Sequence, residues 1–169
     1  MSSADPEGRD WIDRLAIVDL IYRYADAVTR ADWDQTEALF ASDAIWESPA
    51  HELRFESAPA FLDFLSQTSR QELLIQTAHQ PVVHLLGPEQ ARATTTIHEI
   101  LRGVAPAEGP NGEAESVVSF MQYGIYYDDA AKLDRAWKFT HRLFVPFYRT
   151  TGSVTGEVIA ARSSLLRTD

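Results

Sequence analysis

The sequence predicts an α+β fold: a cone-shaped α+β barrel in which a curved, mostly antiparallel mixed sheet carries three helices over its concave face. Two observations lead there. Helical periodicity is confined to the chain before residue 69, and after it apolar residues alternate in strand-like runs broken by turn formers. Two antiparallel helices laid down before any strand suggest a lid for a sheet, and a lid over a curved sheet encloses a pocket.

Each element has its own signal. Leu15, Val18, Ile21, Tyr22, Ala25 and Val28 recur at spacings of three and four, which predicts one apolar stripe on a first helix. Arg30-Ala31-Asp32 breaks it. Asp32 or Asp34 can cap a short second helix, with Glu37 placed for a capping box with Asp34, and Ala38, Leu39 and Phe40 close it against the first. Residues 51–55 read as a short strand or turn. Ser57 can cap a third helix over 58–68, where Pro59 sits early enough for its missing N–H to cost little and Phe61, Leu62 and Leu65 give an apolar face. Strands are expected over 77–86 and 90–102 around the Gly87-Pro88 turn, and again over 117–127 and 137–148, with 128–135 connecting the last two. Residues 103–116, rich in Gly, Pro, Ala and Glu, are expected to form a mobile loop. One domain over 11–150 results, flanked by a flexible 1–10 and a tail over 151–169 that is a subunit contact or partly disordered.

Composition narrows the function. The chain has 169 residues, and its 25 acidic against 15 basic side chains give a formal charge of −10. Such a surface repels nucleic acid and anionic membranes, and no cluster of Lys and Arg with interleaved aromatics offsets it. Cysteine is absent, which removes thiolate catalysis, disulfides and Cys-based metal sites. No leader or membrane-spanning run is visible, so a cytoplasmic location is expected. No His pair or Asp cluster has metal-ligand spacing, and Gly103, Gly109 and Gly112 do not open a helix as a nucleotide loop would. Neither metal nor organic cofactor is expected.

The chemistry must come from groups facing the pocket. Along 91–101 the period of two puts Ala91, Ala93, Thr95, Ile97, Glu99 and Leu101 on one face, the more apolar one, which should point inward. Glu99 is then a carboxylate on a greasy face, suited to general acid or base work because burial favours its neutral form. The alternative is a Glu near a strand end that reaches solvent or pairs with an Arg. Trp46, Tyr123, Phe139 and His141 are candidate pocket lining, with ordinary core packing as the alternative. Val118, Phe120 and Tyr126 are expected on the uncovered outer face of the sheet, as an apolar patch for a homodimer or homotrimer.

The run Ile17, Asp19-Leu20, Arg23-Tyr24-Ala25, Ala27, Asp32-Trp33-Asp34, Glu37, Leu39-Phe40-Ala41, Asp43-Ala44 and Trp46 resembles the opening of the SnoaL-like branch of the nuclear transport factor two superfamily. That branch includes polyketide cyclases, scytalone dehydratase and bile-acid 7α-dehydratase, and the resemblance runs from about Trp11 to about Arg149. It implies a catalytic base at His79, in Thr77-Ala78-His79, a catalytic tyrosine at Tyr24, and an acidic partner at Glu99. It also shows a departure. Thr29 stands where the dehydratases carry the Asp that orients their His, and Val28 where scytalone dehydratase carries a tyrosine. Thr29 is therefore grouped with Trp46, Tyr123 and His141 as substrate-binding. The expected function is a cofactor-independent lyase or isomerase acting on a small hydrophobic carbonyl compound, with His79, Tyr24 and Glu99 as its catalytic groups. The alternatives are a non-catalytic ligand-binding or structural subunit, and an epoxide hydrolase or polyketide cyclase, the hydrolase needing an Asp–Arg–Asp cluster for which no inner-face Asp pair is evident.

Overall fold

A computed structural model describes residues 6–68, 71–105, 116–150 and 152–165. Two helices come first, α1 (Pro6–Arg30) and α2 (Trp33–Ala38). Strand β1 (Phe40–Ser48) leads through a one-turn 3₁₀ helix (Pro49–His51) to β2 (Leu53–Phe55) and then α3 (Ala58–Thr68). Five strands follow, β3 (Gln71–Ala78), β4 (Val82–Leu85), β5 (Gln90–Ala105), β6 (Ser116–Leu133) and β7 (Ala136–Arg149), and a short 3₁₀ helix (Arg162–Leu165) comes after them. The seven strands make one mixed sheet in the order β2-β1-β7-β6-β5-β3, with β4 also on β5. Only β1 with β7 is parallel; the other pairs are antiparallel. The α+β cone is as the sequence predicts.

Helix α1 begins at Pro6, within the stretch expected to be flexible, because proline's fixed φ suits a first helical turn. Its buried apolar residues are Ile17, Leu20, Ile21, Tyr24, Ala25, Ala27 and Val28, while Leu15 is 64% and Tyr22 42% exposed. The true stripe runs Ile17, Leu20/Ile21, Tyr24, Val28. Leu15 and Tyr22, seven residues apart, share a flank that the sheet does not reach. Ala31 adopts φ 58, a left-handed turn that ends α1. Of the two candidate caps it is Asp32 that serves, its carboxylate accepting from the Gln35 N–H at 3.0 Å.

Three long strands of 16, 18 and 14 residues build the cone, and strands of that length must coil. Register shifts between Tyr123 and Gly124 and between Asp129 and Ala130, both against β7, add local bends. The β6–β7 hairpin turns on Asp134 and Arg135, both with positive φ, the backbone of a tight two-residue turn. Strand β6 therefore runs on through residues 128–133, where the sequence predicts a connection. The charged Asp128, Asp129 and Lys132 suggest a loop; Asp128 is in fact buried within the ladder. Likewise β5 extends to Ala105, and the remainder of the expected loop, 106–115, lies outside the described residues.

The most consequential difference is at β3. The strand starts at Gln71, not residue 77, and ends at Ala78. Residues 79–81 separate it from β4, Pro81 having no N–H to give a ladder. In β3, Leu74, Gln76 and Ala78 turn toward the core and Ile75 and Thr77 turn out, and His79, just past its end, is exposed as well. Parity on β6 is also the reverse of that expected: Val118, Phe120 and Tyr126 face inward. The outward apolar side chains are others, with Ile75, Tyr127, Val145, Phe147 and Tyr148 exposed.

Candidate active site

Between the helices and the sheet lies a cavity of about 320 Å³ whose wall includes Trp46, Phe61, Phe64, Leu65, Leu74, Leu101, Val118 and Phe120. Trp46 stacks on Phe61 with ring centroids 4.5 Å apart, which fixes one wall. Gly124 lets another approach: a Cβ there would fall 2.1 Å from the Phe144 ring, and Phe144 lines the cavity.

Three polar side chains stand side by side across the sheet on this inner face. Gln76, Glu99 and Gln122 are register partners on β3, β5 and β6. Gln76 Nε2 donates to Glu99 Oε2 at 2.7 Å, and Gln122 Nε2 donates to Glu99 Oε1 at 2.8 Å. Burial pushes the Glu99 carboxyl above the ordinary carboxylate range; the two amides and the Arg149 cation hold it partly back. Each carboxylate oxygen has a second lone pair, so both bonds can persist while the group takes up a proton.

The network continues to the cavity mouth. Arg149 donates from Nε and Nη2 to Gln122 Oε1 at 3.0 and 2.7 Å, and from Nη2 to His51 Nε2 at 2.7 Å. Because His51 Nε2 accepts, the ring is neutral with its proton on Nδ1, which donates to Ser48 Oγ at 2.8 Å. Burial, then the Arg149 charge, lowers the pKa of His51 in the same sense.

Behind the cavity is a buried ion pair. Arg142 Nε and Nη2 meet the Asp128 carboxylate at 2.7 and 3.1 Å, both side chains 1% exposed. The guanidinium carbon lies 4.0, 3.9 and 4.0 Å from the ring centres of Tyr24, Tyr126 and Phe139. Burial alone would lower the Arg142 pKa, but Asp128 and the two phenols more than offset it. Burial raises both tyrosines above the usual phenol value, Tyr24 well above it, while the Arg142 cation opposes the rise in each. The neighbouring Tyr24 hydroxyl favours the ionised form of Tyr126.

Of the residues singled out from sequence, Glu99, Tyr24 and Trp46 line the cavity. His79 does not. Its side chain is exposed on the outer face, where its ring comes within 6.3 Å of Tyr123, and its backbone N–H bonds to Thr96 O at 2.9 Å. The expected convergence of His79 with Tyr24 and Glu99 is absent because strand parity, counted from Leu74, sends residue 79 outward. Tyr123 is also outside, stacked on His98 at 4.7 Å. His141 lies outside the cavity wall and bonds to Glu47 at 2.9 Å. Thr29 braces the sheet: its hydroxyl accepts from the Gln76 N–H at 3.0 Å and donates to the Gln76 carbonyl at 3.3 Å. Phe139 is fully buried core. Gln76, Gln122, His51, Arg149 and the Asp128–Arg142 pair are not among the residues that the sequence singles out. The signal for the pair was an Arg between inward Phe139 and Phe144, opposite an Asp on the neighbouring strand.

A bent sheet and helices closing on an apolar cavity, with one carboxylate among its described lining residues, define a fold of the cone-shaped α+β kind with a pocket at its centre. The chain belongs to the SnoaL-like domain family, whose sequence profile matches residues 9–143. Similar solved structures include a scytalone dehydratase-like protein from Novosphingobium aromaticivorans, 18% identical with a TM-score of 0.71 over 88% of this chain and 93% of that one. Another is the hexachlorocyclohexane dehydrochlorinase LinA-type3 from Novosphingobium barchaimii, 14% identical with a TM-score of 0.71 over 91% and 98%. A third is Rv3472(D26N), a Mycobacterium tuberculosis protein of unknown function, 18% identical with a TM-score of 0.68 over 97% and 89%. At such identities the likeness is one of fold. No curated protein sequence matches the chain.

Proposed function

We propose that this protein is a cofactor-independent lyase or isomerase that moves a proton on a small hydrophobic carbonyl compound, with Glu99 as the proton-transfer group. The observation that carries the reading is a carboxylate buried in an apolar cavity, its pKa raised by that burial and both oxygens oriented by amides. Ionised Glu99 takes a proton from the carbon next to the carbonyl, and the C–H electron pair moves onto the carbonyl oxygen as an enolate. Tyr126, with Tyr24 and the Arg142 cation behind it, is the donor for that oxygen. The enolate then collapses with loss of a β-hydroxyl, which leaves as water with the proton from Glu99, or it is reprotonated at another carbon. Positioned acid–base transfer of this kind contributes about 10²- to 10⁴-fold.

The test is α-proton exchange of a panel of hydrophobic ketones in D2O, followed by NMR. Wild type should exchange at least one of them and Glu99→Gln should not. Exchange that persists in Glu99→Gln removes Glu99 from the chemistry.

A second reading, a ligand-binding subunit, is favoured by the amides that already occupy both Glu99 oxygens; tight binding without exchange would select it. Hydrolysis of an epoxide has less support. Asp128 and Arg142 pair behind the tyrosine rings, but no Asp stands among the described residues that line the cavity. Self-association as a homodimer or homotrimer is assigned to the outer face around Ile75, Tyr127, Val145, Phe147 and Tyr148, and mass by light scattering tests it. No helix among the described residues is long and apolar enough to cross a membrane; the proposed location is the cytoplasm.

A further inference from the structure

We propose that Arg149 makes the cavity mouth an anion-recognition site, so that the ligand is a hydrophobic monocarboxylate: an apolar body in the cavity with its carboxylate on the guanidinium. The inference rests on the cavity being the ligand site, as above, but not on proton transfer by Glu99.

Arg149 lines the cavity and is exposed enough to reach solvent at its mouth. Its guanidinium is held by neutral groups alone: Nε and Nη2 on the Gln122 carbonyl oxygen, Nη2 on His51 Nε2, and the plane over Phe120 with its carbon 4.1 Å from the ring centre. These contacts fix its orientation without neutralising its charge. Among the described residues no carboxylate stands within ion-pair distance of it, and Nη1 has no protein acceptor. In a chain with 25 acidic and 15 basic side chains, a fixed, unpaired guanidinium on a cavity wall is a ready donor for a ligand oxyanion. The neighbouring wall argues for the ligand's other end. Phe120, Val118, Leu101 and Phe64 offer apolar surface and no donors. The stoichiometry of charge argues for a monoanion. Arg149 is the sole cation among the described lining residues, His51 being neutral, and a phosphate dianion would lack a second counter-charge.

The arrangement also links the two ends of the site. Gln122 gives its N–H to Glu99 and its carbonyl oxygen to Arg149, so a carboxylate drawn to Arg149 lies one side chain from Glu99.

The experiment is isothermal titration of the intact protein with 2-naphthoate and its neutral isostere 2-naphthamide. Wild type should prefer the naphthoate by about tenfold or more at low ionic strength, in keeping with a charge-assisted bond. Arg149→Gln should abolish that preference while holding the naphthamide affinity within about twofold, and Arg149→Lys should retain part of it. Glu99→Gln should keep the preference, which separates this site from the proton-transfer reading. Equal affinity of wild type for the two compounds, a preference that survives in Arg149→Gln, or no binding of either at millimolar concentration would overturn the proposal. Loss of exchange in Glu99→Gln alongside no naphthoate preference would sink the anion site alone.

Discussion

Replacing Glu99 by Gln should stabilise the protein at neutral and alkaline pH and lose that advantage in acid. Burial raises the folded-state pKa of Glu99 above the ordinary value of about 4.3. A raised folded pKa means that the folded chain binds the proton more tightly than the unfolded one. The associated stability is fully present below the unfolded value and is lost as pH rises through the folded one. Every tenfold gain in proton affinity on folding is worth about 1.4 kcal/mol, and for a chain of this size each kcal/mol moves Tm by about 2–4 °C. The glutamine keeps the shape and has no charge to desolvate. Its new N–H₂ also has a waiting acceptor, because Gln76 Oε1 is buried without a partner and a turn of the Gln76 amide brings it round. The assay is thermal melting of both proteins from about pH 4 to pH 8.5, a range that spans the ordinary glutamate value and neutrality. Taking the difference at each pH cancels groups common to both. The Tm gap should widen in favour of Glu99→Gln with rising pH. A gap that stays constant with pH, or that widens in favour of wild type, would refute a carboxyl group whose proton is bound more tightly in the folded chain than in the unfolded one.

Three further outcomes rest on named contacts. His79→Ala should change stability by no more than about 0.5 kcal/mol and leave exchange activity intact, since the side chain is exposed on the outer face; loss of exchange in that variant, measured by the same NMR assay, would restore His79 as the base. Gly124→Ala should cost about 1–3 kcal/mol in chemical denaturation, because the added Cβ would overlap the Phe144 ring, and the displaced ring should weaken naphthalene ligands. The rate–pH profile of exchange should rise through the raised Glu99 pKa, as the base must be ionised, and then stay flat well into the alkaline range, because burial holds both cavity phenols above their usual value; an alkaline limb near neutrality points to a different acid.

The fold was legible because its signals are local. The Ala31 break, the Asp32 cap and the Ala58–Thr68 helix depend on neighbours in sequence. Glu99 was legible for the same reason, since one strand with clean alternation sorts its own faces. What misled was phase. On α1, apolar residues are plentiful enough that two stripes fit the spacing, and only the sheet decides which is buried. On β3, an undetected start at Gln71 concealed that Gln76 is inward and His79 outward. On β6, Val118, Phe120 and Tyr126 are as apolar as an outer patch would be, and they line the cavity instead. The Asp128–Arg142 pair was beyond local reading because its register sets residues on two strands opposite each other.

The departure at Thr29 fits this arrangement. The resemblance pairs an Asp in that place with a His base, and here His79 is exposed on the outer face. Thr29 instead clasps the backbone of Gln76 through both its N–H and its carbonyl, at a strand edge where those groups would otherwise need water. Gln76 in turn orients Glu99. Helix α1 thus supports the proposed proton-transfer group, but it does so through the strand backbone, and the support carries no charge. A charged brace would have been a poor substitute. A carboxylate at position 29 could not give Gln76 the donated bond that the threonine hydroxyl supplies, and a second negative charge near Glu99 would disfavour its ionised, base form. An uncharged Thr29 and an in-cavity carboxylate are two parts of one solution.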